Sequence, residues 1–338
     1  MSVKAIPIQQ SRGDEMSAVV LGVGNASVLF KEPGNGNADA VTIIDAHDDC
    51  ASAFDLSVLR GDGIFEATTV YRGFPVSLEN HLKRLAHSAA LVDMPEPDID
   101  AFIDACQEVI DAYDGVEKAP MLRILVSRGL DPATGIGAEA KQSTGGPLLP
   151  SVWIFLDGEG AGHSIEPITM TTLTRGYPSD ITAKAPWLLN GAKTLSYAVN
   201  QAMHRECDRR GVGDAVTTTT DGYTLECPNS SIVARYGDTY VTPDPRIGIL
   251  NGTSQRELFA WALEEGKRTA YRKLPVDELR DADALYMTHG GGVVPVKELD
   301  GKTYAVDMDE IRAMNEAIHS GRTHDDALTI GPSGEYDA

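Results

Sequence analysis

Strand-like runs and helical patterns alternate through both halves of the sequence, which predicts a mixed α/β (α+β) protein of two domains. Length agrees: 338 residues is about twice a common domain size. A glycine-rich polar stretch, DGEGAGHSIEP (157–167), interrupts the pattern near the middle, and such composition marks a boundary. The expected division is a smaller N-terminal α/β domain over 1–157, a linker over 158–167 and a larger C-terminal domain over 168–320.

Residues 1–17 lack a sustained period and read as a loose arm; the acidic tail 321–338 has little apolar content and reads as flexible. AVVLGVG and AVTIIDA are short β-like runs around a turn cluster, EPGNGNADA. GIFEATTVYRGFPVSL alternates and breaks at Arg72-Gly73, a hairpin signature. LENHLKRLAHSAALVDM sets Leu78, Leu82, Leu85 and Ala89 at helical spacing with Glu79 in the first turn, and DIDAFIDACQEVIDAY repeats the helical signal. APMLRILVSRG and SVWIFLDGEG read as buried strands closed by glycines.

Beyond the linker, ITMTTLTR, DAVTTTT, YTLECPN and SSIVARYGDTYVT read as strands. Between the first two lies NGAKTLSYAVNQAMHRE, where a helical pattern begins at Lys193 with Val199, Met203 and Cys207 as its inner stripe. SQRELFAWALEEG is an amphipathic helix stopped by Gly266, and RTAYRKL, DALYMTH and VVPVKELDGK are further strands.

Bulk properties exclude several functions. Acidic residues outnumber basic ones 50 to 29, a net charge of -21, which argues against nucleic-acid partners and anionic membranes. An anionic ligand would need a local positive site. No apolar run approaches the ~18 residues of a membrane span. Four widely spaced cysteines, Cys50, Cys106, Cys207 and Cys227, have neither metal-ligand rhythm nor a secretory context, so a cytoplasmic protein is expected. LGVGNAS lacks the third glycine of a dinucleotide loop. HGGG (289–292) has no G-x-S-x-G partner motif. The eight histidines show no metal-binding spacing.

Four segments, in order, fit one chemistry: LRGDGIFEATTVYRGFPVSLENHLKRLAHSA with His81 and Arg84 as H-x-x-R-L, AKTLSYAVNQA with Lys193, DGYTLECPNSS with Glu226, and ILNGTSQRELFAWA with Gly252, Thr253 and Ser254 leading into a helix. In this combination the chain resembles fold-type IV pyridoxal-phosphate (PLP) enzymes: branched-chain aminotransferases, D-amino-acid transaminases and 4-amino-4-deoxychorismate lyases. The resemblance runs from about Asp55 to Gly301 and looks closest to the lyase-like members. It implies two α/β domains with PLP in the cleft between them, and a homodimer whose partner shares the active-site walls.

It also implies roles that make physical sense. Lys193 matches the lysine that binds the cofactor aldehyde and then shuttles the substrate α-proton; an ordinary lysine is too basic for this, so its site must favour the neutral amine. Glu226 matches the carboxylate that keeps the pyridine nitrogen protonated. Gly252, Thr253 and Ser254 offer backbone N–H groups, hydroxyls and a helix N-terminus to the phosphate, and Arg84 matches the family's phosphate arginine. Thr288 and His289 fall where the family has a further phosphate- or substrate-contacting turn. Tyr197 and Trp187 are candidate substrate walls. Three departures stand out: THGGG replaces the usual last turn, Ser231 stands where an Asn is frequent, and Gln255 stands where an arginine is usual.

The resemblance implies a lyase that converts aminodeoxychorismate to 4-aminobenzoate and pyruvate, with amino transfer from D- or branched-chain L-amino acids as the alternative. A PLP-free binding protein on the same fold is a remote third reading, opposed by the joint presence of Lys193, Glu226 and Arg84.

Overall fold

The computed structural model describes residues 19–31, 39–115, 119–134, 150–158, 164–290 and 292–320. The arm, most of the turn cluster, the tail and part of the linker expected from sequence lie outside them. The first half contains β1 (Val19–Gly24), α1 (Ala26–Leu29), β2 (Val41–Ile44), α2 (Leu56–Arg60), β3 (Gly63–Tyr71), β4 (Phe74–Pro75), α3 (Leu78–Leu91), α4 (Ile99–Asp111), β5 (Met121–Ser127) and β6 (Ser151–Asp157). The second contains β7 (Ile168–Thr174), α5 (Ile181–Lys184), α6 (Ala198–Arg210), β8 (Asp214–Thr218), β9 (Ser231–Tyr236), β10 (Thr239–Pro243), α7 (Thr253–Glu264), β11 (Arg268–Arg272), α8 (Val276–Arg280), β12 (Ala284–His289), β13 (Gly292–Leu299), β14 (Lys302–Thr303) and α9 (Met308–His319).

The first sheet runs β2-β1-β6-β5-β3-β4 and is antiparallel throughout. The β3–β4 turn uses Arg72 at φ 53 and Gly73 at φ 82, the paired positive φ that matches strand twist in a two-residue hairpin. The period of two sends Ile64, Glu66, Thr68 and Val70 inward, and all are buried. There they meet helix α3, whose Leu82, Leu85 and Ala89 join Phe102 and Val109 of α4 in one core. Phe65 and Ala67 point to the other face and line a cleft.

The second sheet runs β11-β10-β9-β12-β13-β7-β8, with β14 beside β13. Helices α7 and α9 cover one face through Leu258, Phe259, Ile311 and Met314. Met170, Val216, Ile232, Leu285 and Val296 form the core on the other.

Strand β3 ties the two sheets together. Thr69 donates its backbone N–H and its hydroxyl to the Gly290 carbonyl at 3.2 and 3.0 Å. Ser77 donates to Glu257 on α7 at 2.5 Å.

Three expectations change. The helix of NGAKTLSYAVNQAMHRE begins at Ala198, not at Lys193. The preceding residues run extended beside β3, with Phe65 N–H donating to Lys193 O at 3.0 Å and Leu195 N–H to Gly63 O at 2.8 Å, so that backbone is spent on a sheet-like pairing. Its inner stripe reduces to Cys207, because Met203 is half-buried and Val199 is 58% exposed. YTLECPN forms isolated bridges, Thr218 with Thr224 and Tyr223 with Pro275, rather than a strand. SSIVARYGDTYVT divides at Gly237, in a left-handed turn at φ 58, into β9 and β10.

Candidate cofactor site

A cleft of about 1340 Å³ runs between the sheets, and Lys193, Glu226, Arg84, Gly252, Thr253, Ser254, Thr288, His289, Tyr197 and Trp187 all line it. The ten sequence-chosen residues therefore converge on one cavity. Their positions within it differ.

Lys193 sits on the extended segment, its N–H bonded to Ser88 Oγ at 3.1 Å. Its Nζ lies 4.4 Å from the centre of the Phe65 ring, and Tyr197 packs edge-on against that ring at 5.4 Å. Burial pulls the Lys193 amine down to about 8, with help from the Arg84 charge and against Glu66 and Glu226. The site thus shifts the amine toward the neutral form that a nucleophile and proton shuttle requires.

At one end of the cleft is the N-terminus of α7. Its first intrahelical bond runs from Arg256 N to Gly252 O, so the N–H groups of Thr253, Ser254 and Gln255 have no acceptor within the helix, as at any helix start. Gly252 has an ordinary φ of -64; what requires glycine is space. A Cβ there would lie 2.4 Å from Ser231 Oγ. The Thr288 hydroxyl is buried without a hydrogen-bond partner among the described residues. Such a group is costly unless something completes it. Thr253 and Ser254 have different partners. Ser254 donates its hydroxyl to the His289 carbonyl at 2.6 Å, and Thr253 Oγ1 lies 3.1 Å from His81 Nε2. In this arrangement both hydroxyls face protein acceptors, and a phosphate here would meet the backbone N–H groups, the Thr288 hydroxyl and Arg84.

Arg84 is held by a residue that the sequence reading passed over. Glu66 accepts from Arg84 Nε at 2.8 Å and from Nη2 at 2.7 Å, while His81 Nδ1 lies 2.7 Å from the same carboxylate. Arg84 Nη1 donates to the Asn251 carbonyl at 3.2 Å. Burial alone would raise Glu66, but Arg84 and His81 outweigh it and hold the carboxyl at about 2. His81 is pushed below its ordinary value by burial and by the Arg84 and Lys193 charges, against Glu66. A neutral ring with its proton on Nδ1 donates to Glu66 and accepts from Thr253. The signal was present: one acid on the inward face of an apolar alternating strand, with H-x-x-R on the helix it faces.

At the other end Glu226 accepts from Leu250 N–H at 3.0 Å. Burial raises its pKa, opposed by that bond and by Arg175, Lys193 and Arg84. Tyr197 and Asn200 both reach the Pro228 carbonyl beside it. Trp187 is 74% exposed and stands at the rim.

The family model for amino-transferase class IV matches residues 63–299. The chain belongs to this class IV family. A bifunctional aminodeoxychorismate lyase / D-amino acid transaminase of Mycobacterium tuberculosis is 35% identical over 262 residues, covering 74% of this chain and 86% of that protein. Among solved structures, the fold IV-transaminase CpuTA1 of Curtobacterium pusillum superposes with a TM-score of 0.80 at 34% identity, over 90% of this chain and all of that one. The PLP-bound form of a hypothetical aminotransferase from M. tuberculosis superposes with a TM-score of 0.76 at 30% identity, over 90% and 100%.

Class IV enzymes use PLP, and the residues present fit it. The Thr288 hydroxyl, without a hydrogen-bond partner among the described residues, the helix start with its bare glycine, and the arginine bonded to the Asn251 carbonyl suit a phosphate. The half-buried Glu226 suits a protonated ring nitrogen, and the depressed Lys193 suits an aldehyde. Among the described residues no helix is long and apolar enough to cross a membrane.

Proposed function

We propose that this class IV PLP enzyme is a 4-amino-4-deoxychorismate lyase that releases pyruvate and leaves 4-aminobenzoate. The observation that carries the proposal is the charge of the cleft. In a chain of net charge -21, Arg60, Arg123, Arg128 and Arg175 line the cavity in addition to Arg84. Asp157 pairs with Arg123, and Arg128 is held by Asp62 and by the Val92 and Asp93 carbonyls, so a ligand carboxylate would compete with these partners for the two guanidiniums. Aminodeoxychorismate carries two carboxylates, which a cleft with several arginines beyond the phosphate end suits; a dicarboxylate acceptor such as 2-oxoglutarate would use the same arginines, so assays must separate the two.

Bound PLP supplies the electron sink that lets an amino-bearing carbon lose a proton. The chain's own residues do the rest. Lys193, with a pKa of about 8, is balanced to take that proton and return it near neutral pH. Glu226 holds the ring nitrogen in its charged form. Phe65 and Tyr197 wall the Lys193 side of the cleft, and Arg84 with the α7 N-terminus anchors the phosphate. His289 and Trp187 are assigned to the substrate side.

The M. tuberculosis relative's paired name supports a second reading, amino transfer from D-amino acids, and branched-chain L-amino acids remain the other transaminase substrates. Two assays separate the readings. Aminodeoxychorismate should yield 4-aminobenzoate and pyruvate in equal amounts with no keto acid added. Strict dependence on 2-oxoglutarate, with turnover of D-alanine or L-leucine only, would sink the lyase assignment. We further assign the working unit as a cytoplasmic homodimer whose subunits share the cleft walls.

A further inference from the structure

The most enclosed carboxylate of the site, Glu66, is 1% exposed and does no chemistry in the scheme above. A buried ion pair is a poor source of stability, because desolvation offsets most of the attraction. What it does provide is geometry. Glu66 fixes Arg84 through two bonds, at 2.8 and 2.7 Å. That fork leaves Nη1 directed at the Asn251 carbonyl, one residue before Gly252. The same carboxylate fixes His81, at 2.7 Å, and His81 reaches Thr253 on the other side of Gly252, at 3.1 Å. One anion on β3 therefore holds two bases on α3, and each base grips the turn that begins α7.

We propose that Glu66 is the positioning residue of the phosphate cup: through Arg84 and His81 it sets the Asn251–Ser254 turn so that the α7 N–H groups converge on the cofactor's 5'-phosphate. The inference rests on the PLP reading of the site and adds a residue that does not touch the cofactor. A carboxylate beside a phosphate arginine also has an opposite effect, since it neutralises the cation that the phosphate needs. The two roles differ in sign. If Glu66 only neutralised Arg84, removing its charge would tighten phosphate binding. If it positions the cup, removing it weakens phosphate binding despite the more favourable charge.

The test compares PLP with pyridoxal, which has the same ring and aldehyde but no phosphate. Both are titrated spectroscopically into apo wild type, Glu66→Gln and Glu66→Asp. The wild type should prefer PLP; if it binds neither compound, the cofactor reading fails rather than this proposal. Glu66→Gln should lower the PLP-over-pyridoxal preference by about tenfold or more, in line with lost charge-assisted hydrogen bonds, with pyridoxal affinity within about twofold of wild type. Glu66→Asp keeps the charge but shortens the reach, so it should lose preference as well and serves if the Gln variant does not fold. An unchanged or increased preference in either variant overturns the proposal. So does an equal loss for both compounds, which would mark general damage to the fold.

Discussion

Lys193 and Thr288 show how much of the site lies in single residues held at a cost. The Lys193 amine is near 8 in the fold against 10.5 ordinarily. Between those values the unfolded chain holds the proton that the folded chain has released, so the apo protein gains stability as pH rises from about 8 to 10.5. Below about 8 the full cost of burying the charge is present. Lys193→Met should therefore stabilise the apo protein at neutral pH, and the gain should shrink toward pH 10.5 when urea midpoints are compared. A gain that does not change with pH would refute the burial argument. The same variant should lack the absorption band of the Schiff base between the lysine and PLP. Thr288→Val tests the other strained group. Its hydroxyl is buried and has no hydrogen-bond partner among the described residues, so the apo variant should be as stable as wild type or more stable by about 1 kcal/mol. PLP binding should nonetheless weaken by about tenfold, the size of one lost hydrogen bond. Loss of apo stability instead would mean that the hydroxyl has an unseen structural partner.

At the scale of elements, the start of α7 is shaped by a contact between chain segments far apart in sequence. Gly252 faces Ser231 of β9, and a Cβ there would come within 2.4 Å of Ser231 Oγ. Gly252→Ala should weaken PLP binding by about tenfold through displacement of the turn. Adding Ser231→Ala, which removes the conflicting atom, should restore most of it. Additive losses in this double-mutant cycle would show that the two sites do not couple. The contact explains which parts of the fold were legible. Elements with a regular inward stripe, such as α3 with Leu82, Leu85 and Ala89, followed from spacing alone. So did the hairpin at Arg72-Gly73, where turn chemistry is local. The Lys193 segment did not, because its backbone bonds go to Gly63 and Phe65 more than a hundred residues away, and tertiary pairing overrode a helical pattern. YTLECPN departs for a different reason: its backbone bonds are divided between Thr217 and Leu274, so it makes isolated bridges and no continuous strand. Eight of the ten candidate residues follow from motif order and family position, and Tyr197 and Trp187 from their nearness to Lys193; all ten line the cleft. Glu66 was missed because motifs record what touches a ligand, whereas its role depends on what it holds.

For the whole molecule, the proposed homodimer raises the question of how a chain of net charge -21 would bind a second copy of itself. Long-range repulsion opposes association, so such a contact would draw on apolar surface. Such surface exists around the cleft mouth, where Trp187, Leu188 and Val199 are 74%, 47% and 58% exposed and line the cavity. Large apolar side chains grouped at a functional opening mark a ligand groove or a protein interface, and the proposed dimer would use them as the latter. Covering them with a second subunit would also close the cleft against water, which strengthens every charge interaction inside it. Sedimentation should therefore give a dimer that tightens with added salt, as screening removes the repulsion while apolar contacts persist. Leu188→Glu combined with Val199→Glu should give a monomer. If the interface completes the cleft wall, that monomer should still bind PLP through the α7 turn, Arg84 and Lys193, yet turn substrate over at least about tenfold more slowly. A monomeric wild type, or a charged-rim variant that stays dimeric and fully active, would place the second copy elsewhere on the surface.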